Sequence, residues 1–176
     1  MVETFNQQCG CGTTDVQTGH QRTLRVQFLE LDMTQRGAVS CNTCMSVEDQ
    51  VRQVIADLQP VFDQVDTVIE MEKTLIKSLE QAEDMHFAAS PTIRVGNREV
   101  VPFQGDLFGF GARQWEWQGG VYEAPPLALI VDAILRAYAS ENEETQESRA
   151  YQSAEALKNY FSNIPKDGAK GDCGCS

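Results

Sequence analysis

Cys41-Asn42-Thr43-Cys44 stands between two apolar patterns of different period, and reading it decides the fold. Downstream, Val47, Val51, Val54, Ile55, Leu58, Val61, Phe62 and Val65 recur as one stripe of an α-helix. Upstream, Leu24, Val26 and Phe28 alternate with Arg25 and Gln27, the pattern of a strand with one apolar face, until Leu29 and Leu31 break the alternation. A polar loop from Asp32 to Ser40 joins the two, so the paired thiols lie at a strand-to-helix turn. A helix that reaches back to Thr43 puts Cys41 at its positive end, where a thiolate is favoured, and makes Cys44 the resolving thiol. The competing start is Ser46, with Asp49 reaching back as the acid of a capping box, and this leaves both thiols in the loop.

Working outward, Pro60 falls inside the helical stripe and predicts a kink or break near Leu58. Thr67 to Glu72 reads as a second strand and Leu75 to Met85 as a short helix. A loop from His86 to Ser90 then delivers Pro91 to a third strand, Thr92 to Val95. Gly96-Asn97 is a two-residue hairpin turn into Arg98 to Val101, with Pro102 at the exit. After the loop from Phe103 to Gly111, Trp115 to Trp117 and Val121 to Glu123 predict a small hairpin about Gly119-Gly120. Its Trp115, Trp117 and Tyr122 either shape a groove or pack on the neighbouring sheet, and packing is the commoner use. Pro125-Pro126 open a helix with Leu127, Ile130, Val131, Ile134, Leu135 and Tyr138 on one face. Tyr151, Ala154, Leu157 and Phe161 predict a last amphipathic helix. The expected organisation is an arm over 1–22, a domain over 23–140, an acidic linker and helix over 141–162, and a tail over 163–176.

At 176 residues the chain is one domain with an appendage, long enough to bury about 70% of its surface on folding. Twenty-six acidic against fourteen basic residues, a formal charge of −12, oppose binding to a phosphate backbone, so nucleic acid is not an expected partner. Much of the excess, Glu141, Glu143, Glu144 and Glu147, reads as a solvated segment. Met1 to Gln8 lacks the basic start and apolar core of a signal peptide, and no apolar run approaches the roughly 20 residues of a membrane span. A cytoplasmic protein with no membrane partner is expected. All six cysteines fall in close pairs, Cys9 with Cys11, Cys41 with Cys44 and Cys173 with Cys175. In a reducing compartment such pairs suit redox chemistry or metal binding better than structural disulfides.

From Leu24 to Ala139, the order strand, thiol pair, helix, strand, helix, Ser90-Pro91, hairpin, helix resembles the thioredoxin-like fold. It is also similar to a bacterial and archaeal thioredoxin-like family catalogued as a domain of unknown function. The resemblance implies an α/β architecture: a central mixed sheet of about four strands flanked by helices, with an inserted hairpin and a C-terminal helix and tail. It further implies a cis peptide before Pro91, packed across the site from the thiols, with Ser90, Pro91 and Thr92 contacting substrate. The expected activity is thiol–disulfide exchange without a cofactor. Cys41 attacks, Cys44 resolves, and the partners are a protein or small-molecule disulfide and an electron donor. Cys9, Cys11, Cys173 and Cys175 are then candidate relay thiols, since a Cys-Gly-Cys disulfide closes a small strained ring that is readily reduced. The same six thiols also suit a carrier or sensor of Zn(II), Cu(I) or As(III), with the tails completing the ligand set. In a third reading the scaffold is only a binding module. The sequence departs from thioredoxin in lacking the Trp and Gly-Pro around the thiols. It also offers no acid within the apolar part of the first strand, since Glu30 and Asp32 lie at that strand's end.

Overall fold

In the computed structural model, which describes residues 21–34, 37, 42–101, 113–140 and 155–164, the first strand β1 (Arg22–Leu31) occupies the interior of a four-stranded sheet. It is followed by helix α1 (Asn42–Phe62), strand β2 (Thr67–Ile76), the short helix α2 (Leu79–Asp84) and strands β3 (Thr92–Val95) and β4 (Arg98–Glu99). A separate hairpin of β5 (Trp115–Trp117) and β6 (Gly120–Tyr122) precedes α3 (Leu127–Ala139), and α4 (Glu155–Ser162) comes last. The sheet order is β2-β1-β3-β4, with β1 parallel to β2 and antiparallel to β3, and β3 antiparallel to β4. This is a mixed α/β architecture with helices on both faces of a mixed sheet. Among the described residues no helix is long and apolar enough to cross a membrane.

The break in alternation along β1 has a structural cause. Leu24, Val26 and Phe28 point to one face, where they pack with Val47, Val51 and Val54 of α1, Ile93 and Val95 of β3, and Leu129, Ile130 and Ile134 of α3. Leu29 and Leu31 point to the other, into a second core of Ile76, Ala82, Phe87, Ala89, Leu157 and Tyr160. Only the C-terminal end of β1 is thus covered on both sides, and each large apolar side chain buried there contributes about 1.5–3 kcal/mol. Thr23 and Arg25, on the second face but beyond its cover, are exposed.

Several element boundaries differ from expectation. The start of α1 at Asn42 excludes Ser46 as the helix start and puts Cys44 in the first turn. No break occurs at Leu58, and Pro60 lies inside a helix that runs on to Phe62. That last turn is held because Phe62 is buried against the edge of Tyr138, ring centroids 5.1 Å apart. Gln59 also accepts from the Ile69 N–H and donates to the Thr67 carbonyl, binding the helix to β2. Strand β2 continues through Ile76, paired with β1 along all ten residues, so Leu75 and Ile76 belong to the sheet and not to α2. Helix α2 begins only after Ser78, whose hydroxyl accepts from the Gln81 N–H. β4 is shorter than predicted. The hairpin turns at Gln118-Gly119, φ 49° and 81°, one residue before the predicted pair, which pairs Trp115 with Tyr122. Gly120 is instead overlain by the Tyr122 ring, where an added Cβ would come within 2.8 Å of the hydroxyl.

Candidate functional site

Helix α1, strand β1 and the turn before β3 meet at Cys44. The thiol side chain is the third residue of α1 and only 3% exposed. A first helical turn carries backbone N–H groups without intrahelical acceptors, so negative charge is favoured there. Cys44 Sγ lies 3.7 Å from Ser90 Oγ. The β1–β3 register pairs Leu29 with Thr92, and continued two residues it sets Leu31 opposite Ser90. There the Leu31 N–H donates to Ser90 Oγ at 3.1 Å. A hydroxyl has one proton and two lone pairs, so Ser90 can accept from Leu31 while donating toward the sulfur. The Ser90–Pro91 peptide is cis, as the resemblance implies.

Of the residues singled out from sequence, the structure brings together Cys44, Ser90, Pro91 and Thr92. Thr92 is fully buried and its hydroxyl donates to the Ala89 carbonyl at 2.7 Å, closing the turn that carries Ser90 and Pro91. Cys41, Cys9, Cys11, Cys173 and Cys175 lie outside the described residues, as do residues 1–20 of the expected arm, the acidic stretch over 141–147 and residues 165–176 of the expected tail, while Arg22, expected in the arm, opens β1. Among the described residues no group of three or more His, Cys, Asp and Glu side chains is placed to hold a metal ion. His86, exposed, lends its carbonyl to Arg94. Trp115 is fully buried in the main core and Trp117 packs against it, so these two aromatics serve packing; Tyr122 remains exposed.

One of the acids read from sequence at the end of the first strand is buried. Glu30 lies within β1 and is 1% exposed, on the same face as Val26 and Phe28. Lys73 of β2, level with Phe28 in the parallel register, extends its Nζ to 2.8 Å from Glu30 Oε2 and 2.6 Å from Glu48 Oε2. Glu48 stands one helical turn after Cys44 and is also held by Arg52 at 2.7 Å. Two acids and two bases therefore cancel locally, and the Glu48 charge is tied down rather than left facing the thiol. Burial pushes the Glu48 carboxyl up, but the bonds and charges of Lys73 and Arg52 outweigh this and hold it below its ordinary value. For Lys73 burial pulls down, and the bonds to Glu30 and Glu48 win, raising it. From sequence Glu30 reads as a strand-end polar residue. Only the cover supplied by α1, and a lysine more than forty positions away, make it a buried ion pair.

Fold and site together define an α/β protein with a buried cysteine in the first turn of a helix, set against a Ser-Pro turn. The chain matches the family model described as Domain of unknown function (DUF2703) over residues 24–134 and belongs to that family. No curated protein and no solved structure matches it.

Proposed function

We propose that the chain is a thioredoxin-like thiol–disulfide oxidoreductase. The observation that carries this reading is the 3.7 Å approach of Cys44 Sγ to Ser90 Oγ, which joins the first turn of α1 to the turn before β3. The strand order β2-β1-β3-β4 supports the same reading, since it sets the helix that follows β1 beside the start of β3. In the proposed cycle the Cys41 thiolate attacks a substrate disulfide, forming a mixed disulfide and expelling one substrate thiolate. Cys44 then attacks the Cys41 sulfur, expelling the second, so the substrate gains two electrons and the pair becomes a disulfide. A thiol or dithiol donor returns the pair to its reduced form. The Ser90 hydroxyl stabilises Cys44 as it loses its proton, which goes to the departing substrate thiolate. Ser90, half-buried, orients the partner, whereas Pro91 and Thr92, expected to contact substrate, are buried and support Ser90 from behind; the Cys9, Cys11, Cys173 and Cys175 thiols relay electrons to the central pair.

The test is trapping. Cys44→Ser accumulates mixed disulfides with partner proteins, and Cys41→Ser does not; equal trapping by both, or by neither under varied oxidants, refutes the assigned roles. Elemental analysis of anaerobically purified protein runs beside it. Stoichiometric Zn, Cu or As that is lost when residues 1–12 or 172–176 are deleted would replace the redox reading with a metal carrier.

A further inference from the structure

The inserted hairpin brings to the sheet a residue that reaches the site from behind. Arg113, two residues before Trp115, is 4% exposed, with its guanidinium stacked 4.3 Å above the Trp115 ring. Nη1 donates to Thr92 Oγ1 at 2.9 Å, while Nη2 donates to Glu99 Oε1 at 2.9 Å and to the Val101 carbonyl. Thr92 passes the connection on, since its hydroxyl donates to the Ala89 carbonyl. One side chain therefore ties β4, the exit from β4, the start of β3 and the hairpin to the turn that carries Ser90. Burial pulls the guanidinium below its ordinary pKa against the opposing Glu99 charge, and Arg113 Nε has no acceptor among the described residues. Burying a charge this deeply is costly, and an apolar side chain of similar volume would fill the space at lower desolvation cost. What it would not supply is a planar fork of donors with fixed directions, which lysine does not supply either.

We propose that Arg113 is a positioning residue for the Cys44–Ser90 contact: by holding Thr92, and through the Thr92 hydroxyl the Ala89 carbonyl, it fixes the 89–92 turn where Ser90 Oγ meets Cys44 Sγ. The hairpin insertion is on this account a brace for the Ser-Pro turn. The proposal rests on reading the site as a thiol centre, but its test follows the protection of Cys44 and not turnover. A protein that exchanges no disulfides can still pass it, and an active one can still fail it.

The experiment uses the full chain, reduced, with iodoacetamide at limiting time. Labelling of the Cys44 peptide is quantified by mass spectrometry, and global stability is measured for each variant in urea. Arg113→Met and Thr92→Val each raise Cys44 labelling by about tenfold, equivalent to about 1.4 kcal/mol of local opening, beyond what the change in global stability accounts for. The double variant labels no faster than either single one, because both cut the same chain of bonds. Thr92→Ser, which keeps the hydroxyl, retains wild-type protection of Cys44. Unchanged labelling, labelling that rises only in proportion to global unfolding, additive effects, or failure of Thr92→Ser to retain protection would each overturn the proposal. If Arg113→Met does not fold, Thr92→Val against Thr92→Ser decides it alone.

Discussion

Replacing Lys73 with methionine isolates the ion pair beneath the cysteine turn. The Glu30 side chain is 2% exposed and Lys73 Nζ lies 2.8 Å from it, so removing the cation leaves a charge with little access to water. Breaking a fully buried pair costs about 3–5 kcal/mol. Here Lys73 is 30% exposed and water can take part of its place, which discounts the loss to roughly 2–3 kcal/mol. Glu48 adds little to the penalty because Arg52 still holds it. With a urea m-value of about 2 kcal/mol/M, the midpoint for Lys73→Met falls by roughly 1–1.5 M at pH 7, with m unchanged. The control is Glu30→Gln combined with Lys73→Met. A matched removal of both charges restores stability to within about 1 kcal/mol of wild type, as expected when a buried pair is replaced by neutral groups. A Lys73→Met loss under 1 kcal/mol, or a double variant no more stable than the single one, would refute the account of Glu30 as a buried, paired carboxylate.

The same network sets a pH window. Glu48, held below its ordinary 4.5, contributes stability that is present above that value and lost as pH falls through its lowered folded pKa. Lys73, raised above 10.5, contributes stability that is present below that value and lost as pH rises through its raised folded pKa. The stability gap between wild type and Lys73→Met is therefore flat near neutrality and narrows at both ends, and a gap independent of pH from 3 to 11 counts against the pairing. Gln59→Leu strands the Ile69 N–H and the Thr67 carbonyl at the end of α1, and a loss of about 1–3 kcal/mol is expected in urea unfolding. Trp115→Ala, at a fully buried position, costs about 3–5 kcal/mol, whereas Tyr122→Ala, on the exposed strand of the same hairpin, costs under about 1 kcal/mol. Thermal unfolding of the two compares packing against exposure within one hairpin.

Much of the scaffold was legible because it depends on period. The stripe from Val47 to Phe62 and the one from Leu127 to Tyr138 announce helices, the alternation at Leu24 to Phe28 announces a strand, and all three elements are found. Ser90-Pro91 before a strand was likewise visible, and so was the hairpin of Trp115 to Tyr122. Boundaries failed where a long-range partner competed with local pattern. Leu75 and Ile76 look helical in sequence but are captured by β1, and Pro60 is carried inside α1 because Phe62 seats in the core.

The site divides the same way. Sequence determined that a Cys-x-x-Cys spacing stands where the strand pattern gives way to the helical stripe, because spacing along the chain is enough to specify that much. It could not show that Cys44 is buried against Ser90, that Glu30 is a covered carboxylate held by Lys73, or that Arg113 closes on Thr92. In each, the energy of a polar group depends on whether water can reach it and on a partner distant in sequence. Only the packing of α1, α3 and the hairpin against the sheet excludes that water and sets those partners within hydrogen-bonding reach.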